Sequence, residues 1–353
     1  MPISNPNGDL RKRDKQLLQE IFSTHSRLII IFWRRQPKNR RNTSSFPVFP
    51  WHIICLTGFY IISAIMVWRR KNLFLVIFIA ACLQMSCNTS ANKENFENTD
   101  LYDLNNPTII NLPEQLDGIS GITYYPKDTS VFAVIDEDGL LFKIPLKNPD
   151  KTRQWSFAHG GDYEDLILKD STFYILADDG KVVKVNFVND NIVKRKIKFD
   201  ENSDDENEFE TLYYDDSVKK MVLMCNSCEA DNKQKVSSYI YNDSTNNYSS
   251  YINLDPVAIA KKIDEKGKFE LKPSDGAINP ITKDLYIVCS ENKLLVITDR
   301  EGNLKNVYRL NPKIYKKPEG ITFTPTGDMI ISNEVFLEDY STLLILKNKK
   351  KAK

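Results

Sequence analysis

The body of this chain repeats itself, and an internal repeat constrains a fold more tightly than any single motif. Five segments share one plan. The first opens on Ile119-Ser120-Gly121-Ile122 and continues through apolar runs at 130–136 and 140–144. The second opens on Tyr163-Glu164-Asp165-Leu166, with runs at 172–178 and 181–185. The third opens on Phe209-Glu210-Thr211-Leu212, with runs at 220–226 and 235–240. The fourth opens on Ser274-Asp275-Gly276-Ala277, with runs at 284–290 and 293–297. The fifth opens on Pro318-Glu319-Gly320-Ile321, with runs at 328–333 and 342–346.

The runs are rich in Val, Ile, Tyr and Phe and are separated by Asp-Gly, Thr-Gly and Asp-Asp, so they read as strands and turns. A fourth run follows most units, at 152–157, 193–199, 248–254 and 306–310. Four strands per unit is the plan of a propeller blade. Register residues 120, 164, 210, 275 and 319 are spaced by 44, 46, 65 and 44, close to the period of about 45 expected of such a blade. The long interval leaves an insertion at 255–272, where Val257-Ala-Ile-Ala-Lys-Lys-Ile reads as helical. The fifth unit lacks a fourth strand, and Thr108-Ile-Ile-Asn-Leu112 lacks a blade. Pairing the two closes a ring and removes an exposed sheet edge. The expected fold is an all-β, five-bladed β-propeller over 107–347 with N-terminal strand closure. A six-bladed ring is the alternative, if the insertion hides a degenerate blade.

Charge divides the chain. Residues 1–71 hold thirteen Lys/Arg against three acids, a net of +10, and 72–86 hold no charge. With +1 overall, residues 87–353 carry −9. An acidic body repels phosphate backbones, so nucleic acid is not an expected partner. Arg69-Arg70-Lys71 followed by Leu73-Phe-Leu-Val-Ile-Phe-Ile-Ala-Ala-Cys82-Leu-Gln-Met-Ser-Cys87 is a basic stretch, a short apolar stretch and small residues, the parts of a secretory signal. The cysteine resembles the lipobox of bacterial lipoproteins. Cys87 is the preferred lipidation site, because cleavage at the alternative, Cys82, leaves Leu83 and Met85 beside the anchor. A non-cleaved membrane anchor is the competing reading. On this reading 1–65 is a basic extension, either a segment of its own or the product of a start misplaced upstream of Met66, 66–87 is a lipoprotein signal peptide, 88–106 a flexible tether and 348–353 a basic tail. The expected location is the cell membrane or outer membrane, lipid-anchored, with the body outside the cytoplasm.

The openings of the units also carry the candidate chemistry. Glu164, Glu210, Asp275 and Glu319 begin first strands, which line the central channel of a propeller. Second strands run antiparallel, so Asp136 and Asn333 at their ends reach the same face. Converging carboxylates raise one another's pKa. A hard cation relieves this, and calcium takes six to eight oxygens in flexible geometry. The bland alternative is that these acids serve only turn geometry and solubility. His159 is the sole histidine after residue 52, which argues against Ser-His-Asp triads and multi-histidine metal sites. Cys225-Asn-Ser-Cys228 reads as a strand-end disulfide or as two packed thiols.

The order of Ile119-Ser120-Gly121-Ile122, Asp136-Glu137-Asp138-Gly139, Tyr163-Glu164-Asp165-Leu166, Phe209-Glu210-Thr211-Leu212 and Lys317-Pro318-Glu319-Gly320-Ile321, with Ser332-Asn333-Glu334, resembles the SdiA-regulated (YjiK-like) family of bacterial β-propellers. The resemblance covers about 107–347 and implies an envelope-associated propeller with links to calcium and a distant likeness to phytase-type propellers. The expected function is a non-catalytic, membrane-tethered binding module for calcium and an envelope ligand or protein. The alternative is a calcium-dependent hydrolase, phosphoesterase-like or lactonase-like, using the same acids.

Overall fold

The computed structural model describes residues 96–350, apart from residue 190, 198–206, 243–244, 246 and 336–339. The basic extension, the signal segment and both candidate lipidation sites, Cys82 and Cys87, lie outside the described residues.

Twenty strands form five antiparallel sheets of four. Blade 1 is β2 (Ile119–Tyr125), β3 (Ser130–Ile135), β4 (Leu140–Pro145) and β5 (Arg153–Ser156). Blade 2 is β6 (Tyr163–Lys169), β7 (Thr172–Ala177), β8 (Val182–Val188) and β9 (Asn191–Ile197). Blade 3 is β10 (Asn207–Asp215), β11 (Lys220–Cys228), β12 (Val236–Asn242) and β13 (Asn247–Leu254). Blade 4 is β14 (Asp275–Ile278), β15 (Leu285–Cys289), β16 (Leu294–Thr298) and β17 (Leu304–Arg309). Blade 5 is β18 (Pro318–Phe323), β19 (Met329–Asn333) and β20 (Thr342–Leu346), completed by β1 (Thr108–Asn111). The protein is a five-bladed β-propeller. The insertion contains no blade: it is a single helix, α1 (Pro256–Lys262), among its described residues. Asp255 caps it by accepting from the Val257 and Ala258 N–H groups at 2.8 and 3.1 Å, with Pro256 in the first turn.

The strands form where sequence alternation and turn residues agree. The turn between β6 and β7 is Asp170-Ser171, both with positive φ, the geometry of a two-residue hairpin that matches strand twist. The second strands β3, β15 and β19 are apolar and buried almost throughout, because both faces of a blade meet a neighbouring blade. Apolar side chains fill each of the five blade–blade interfaces. The first strands β2, β6, β10, β14 and β18 contact one another in a closed cycle around the channel.

Ring closure follows the expected pairing: β1 runs antiparallel to β20, with Thr108 opposite Ile345 and Asn111 opposite Thr342. The segment read as tether up to 106 behaves differently. From Asn98 onward it packs on the ring. Tyr102 and Leu104 are fully buried against blades 4 and 5. The Tyr102 hydroxyl donates to Gly327 O at 2.6 Å and accepts from Asn279 Nδ2 at 2.7 Å. The Lys349 N–H donates to Leu101 O at 2.9 Å, so the start of the basic tail is held as well. Two aliphatic residues and one tyrosine amid Asp and Asn gave no periodic signal.

A polar pin joins blades 3 and 4. The buried Asp215 carboxylate accepts from Arg300 Nη1 at 2.8 Å, Ser217 N at 2.8 Å and Tyr251 Oη at 3.1 Å. Removing one partner of a buried pair leaves an uncompensated charge. Arg300→Ala is expected to cost about 3 kcal/mol, read as a lower urea midpoint. A loss below about 0.5 kcal/mol would place this contact with ordinary surface ion pairs.

Candidate functional site

The channel mouth is built by a bulge repeated around the ring. In β6, β10 and β18 the register against the second strand slips at Glu164, Glu210 and Glu319. A bulge bends its strand and re-aims the extra side chain, here toward the channel. In blades 1 and 5 the next position is a glycine, where the chain is crowded by a neighbouring blade. A Cβ on Gly121 would lie 2.4 Å from the Asp165 Cα, and one on Gly320 would lie 2.7 Å from Ser120 O. Hydrogen bonds cross between neighbouring blades: Ser332 Oγ of β19 donates to Ser120 O at 2.8 Å, and Ser120 Oγ to Glu164 O at 2.5 Å.

Glu164, Glu210 and Glu319 line one cavity of about 420 Å³, together with Asp136, Asp162, Glu291 and Glu334. Three serines, Ser120, Ser274 and Ser290, and three lysines, Lys293, Lys316 and Lys317, complete its wall. Lys317 pairs with Glu334 and lies 3.5 Å from Glu319. Lys293 donates to Ser290 O at 2.6 Å. Among the described residues no cation lies within ion-pair distance of Glu164 or Glu210. Burial first, and then the neighbouring Glu210, Asp162 and Glu319 carboxylates, push Glu164 up to about 9. Burial and then Glu319 push Glu210 up to about 8. Burial also raises Glu319, although Lys317, Ser274 and Ser290 oppose it.

Four of the six acid or amide residues expected at the mouth are there: Glu164, Glu210, Glu319 and Asp136. Asp275 and Asn333 are each one residue out of register. Leu166, Leu212, Gly276 and Ile321 hold equivalent pairs with their second strands. The ring position is two residues earlier, which in blade 4 is Ser274, and Ser274 lines the cavity. On the second strands the mouth lies three residues past Ala133 and Ile331, at Asp136 and Glu334. Asn333 turns away and donates through Nδ2 to Ile314 O at 2.8 Å. Counting from each strand start hid both shifts, because β14 is shorter than the other first strands and β19 is shorter than β3, β7 and β11.

Asp275 instead forms a layer beneath the mouth with Asp165. Both carboxyls are 1 % exposed. Asp165 accepts from Leu166 N and from Leu212 N in the next blade, both at 2.6 Å. Asp275 accepts from Gly276 N at 2.5 Å and from Ile321 N in the next blade at 2.6 Å. The two carboxyls also hydrogen-bond each other, and burial pushes both above the usual carboxylate range, so the pair retains a proton. Asp165 follows the ring residue Glu164, and Asp275 follows the ring residue Ser274, in alternate blades.

The other candidates lie off the channel. Cys225 and Cys228 form a disulfide, Cys289 is a buried free thiol, and His159 is exposed. Among the described residues the mouth therefore offers carboxylate and hydroxyl oxygens as ligands, without histidine or cysteine. Among the described residues Glu164, Glu210 and Glu319 share one wall with Asp136, Asp162 and the serines, but their oxygens are not gathered within 4.8 Å of one another, so holding a hard cation would require them to draw together. An all-oxygen, irregular donor set suits calcium better than zinc.

Several solved structures are distantly similar to this chain. Myxococcus xanthus glutaminyl cyclase is 12% identical with a TM-score of 0.46, covering 68% of this chain and 94% of that one. The PQQ-bound aldose sugar dehydrogenase of Streptomyces coelicolor is 8% identical with a TM-score of 0.44, covering 69% and 99%. A luciferin-regenerating enzyme is 10% identical with a TM-score of 0.43, covering 69% and 95%. Likenesses this distant say nothing of activity. No curated protein matches the chain in sequence. The family model for SdiA-regulated proteins matches residues 108–337, the ring almost end to end, and the chain belongs to the SdiA-regulated family.

Proposed function

We propose that the protein is a membrane-tethered, non-catalytic binding module that holds calcium at its channel mouth and presents it to an envelope ligand or protein partner. One observation carries this reading. Glu164 and Glu210 are half-buried side by side at a shared cavity, with no paired cation among the described residues. Carboxyls crowded in this way resist ionising, and a divalent ion bound to the ionised forms removes that resistance. The lipid tether follows from the signal-like segment ending at Cys87. A second reading, a calcium-dependent hydrolase, draws on Lys293, Lys316 and Lys317, which bring to the same wall the positive charge a phosphoester needs. Phosphate release from a panel of phosphoesters would favour it.

Thermal unfolding of the compact unit Asn92–Lys353 in calcium and in EDTA tests the proposal. A ligand at about 100 times its Kd stabilises by about 2.7 kcal/mol, or roughly 5–10 °C for a domain of this size. Glu319→Ala is expected to remove most of that shift. Equal midpoints in calcium and EDTA would end the proposal.

A further inference from the structure

A second cluster of metal-ligating side chains lies on blade 3, away from the channel acids. β11 ends on Cys225-Asn226-Ser227-Cys228, and the chain then makes a single 3-10 turn, Glu229–Asp231. The spacing is Cys-x2-Cys-x2-Asp. Cys225 Sγ, Cys228 Sγ and a carboxylate oxygen of Asp231 all lie within 4.8 Å of one another, and all three residues are buried. Cys228 and Asp231 form one wall of a cavity of about 600 Å³. Pro256 and Leu271, from the segment inserted between blades 3 and 4, form another.

Asp231 is 6 % exposed and firmly oriented. Its Oδ2 accepts from Ser237 N at 2.7 Å and its Oδ1 from Ser237 Oγ at 2.5 Å. Lys235 Nζ lies 3.5 Å from Oδ1. Donors of this kind orient a metal-binding carboxylate from behind. Each carboxylate oxygen has two lone pairs, so these bonds leave capacity for a metal. Sulfur ligands favour zinc over calcium or magnesium, the reverse of the oxygen-only channel mouth.

We propose that reduction of the Cys225–Cys228 disulfide opens a three-ligand site, formed by Cys225, Cys228 and Asp231, for a thiophilic divalent cation of the zinc class. The fourth coordination position faces the cavity. The reductant is a dithiol or a phosphine; the phosphine attacks one sulfur, water supplies the oxygen and the two thiol protons, and the phosphine leaves as its oxide. A dithiol supplies two electrons and two protons, the S–S bond breaks to give two thiols, and the dithiol becomes a disulfide. The cation then displaces the two thiol protons and binds two thiolates and one carboxylate. Three protein ligands with an open fourth position is an established zinc arrangement. Zn–S bonds of about 2.3 Å set ligand atoms about 3.7 Å apart, so the two sulfurs must separate, and the Asp231 carboxylate already lies within 4.8 Å of both.

The test uses the full chain in detergent, reduced with a phosphine, freed of reductant without oxygen and titrated with cadmium as the spectroscopic stand-in for zinc. Thiolate-to-cadmium absorption reports binding through sulfur. Cys225→Ser/Cys228→Ser retains Cys55, Cys82, Cys87 and Cys289 and serves as the baseline. Reduced wild type is expected to bind one cadmium per chain more than this baseline, and oxidised wild type none more. Asp231→Asn is expected to bind at least tenfold more weakly, and zinc is expected to displace the cadmium. Reduced wild type matching the double-serine variant would overturn the proposal, as would Asp231→Asn binding as tightly as wild type. If Asp231→Asn fails to fold, the comparison of reduced, oxidised and double-serine proteins decides alone.

Discussion

A chain shortened to begin at Pro113 is expected to lose cooperative folding. It lacks β1, so the outer edge of β20 is left unpaired in blade 5. An unpaired edge is also a template for pairing with another copy. The larger loss is the segment ahead of β1. Leu101, Tyr102, Leu104 and Leu112 are all buried on the ring, and fully burying one such side chain contributes roughly 1.5–3 kcal/mol. Together they rival the whole stability of a typical domain, about 5–15 kcal/mol. Tyr315 Oη, which donates to Leu104 O at 2.9 Å, would also lose its partner. Thermal melting followed by circular dichroism, compared with Asn92–Lys353, checks this. A cooperative transition within about 3 °C of the longer chain would show that neither β1 nor the docked segment closes the ring.

The metal-free ring is expected to become less stable as pH rises, and calcium is expected to reverse that trend. Glu164 is pushed up to about 9 and Glu210 up to about 8. In the unfolded chain both lose their protons near the ordinary carboxylate range. Between those limits the folded state binds more protons, so stability falls with rising pH. The contribution is fully present below about pH 4.5 and is lost as pH passes through 8 and 9. Asp162 and Glu334 are raised as well and act in the same direction. In EDTA the midpoint at pH 9 is expected to fall at least about 5 °C below that at pH 6, using roughly 2–4 °C per kcal/mol. In calcium the gap narrows, because the ion binds the ionised form. Fluorimetric melts at the two pH values check both statements. A flat or rising midpoint in EDTA would mean the mouth is not a nest of strained carboxyls.

The repeat carried most of the fold. Blade count, the closing strand and the helical insertion all follow from apolar periodicity and spacing, because a strand buried between neighbouring blades must be apolar along its length. Ring-facing chemistry was legible only where the bulge kept step with the strand start. Glu164, Glu210 and Glu319 keep step; Ser274 and Glu334 do not, since one residue of strand length moves a side chain to the opposite face. Asp165 and Asp275 show the same limit. A buried carboxyl pair satisfied by the N–H groups of the next blade leaves no local signature. Docking of Tyr102 and Leu104 depends on a groove between blades 4 and 5, which exists only after the ring has closed.

The central claim is that the acids at the channel mouth form one cation site. Isothermal titration of Asn92–Lys353 with calcium at pH 7, in two buffers of different ionisation enthalpy, tests it most directly. Ligand carboxyls must ionise to bind metal. With Glu164 and Glu210 both protonated beforehand, the account predicts one ion per ring and release of about one to two protons. It also predicts that Glu164→Gln/Glu210→Gln lowers the affinity at least tenfold and abolishes most of the proton release. No heat of binding, or binding without proton release that the double variant leaves unchanged, would contradict it.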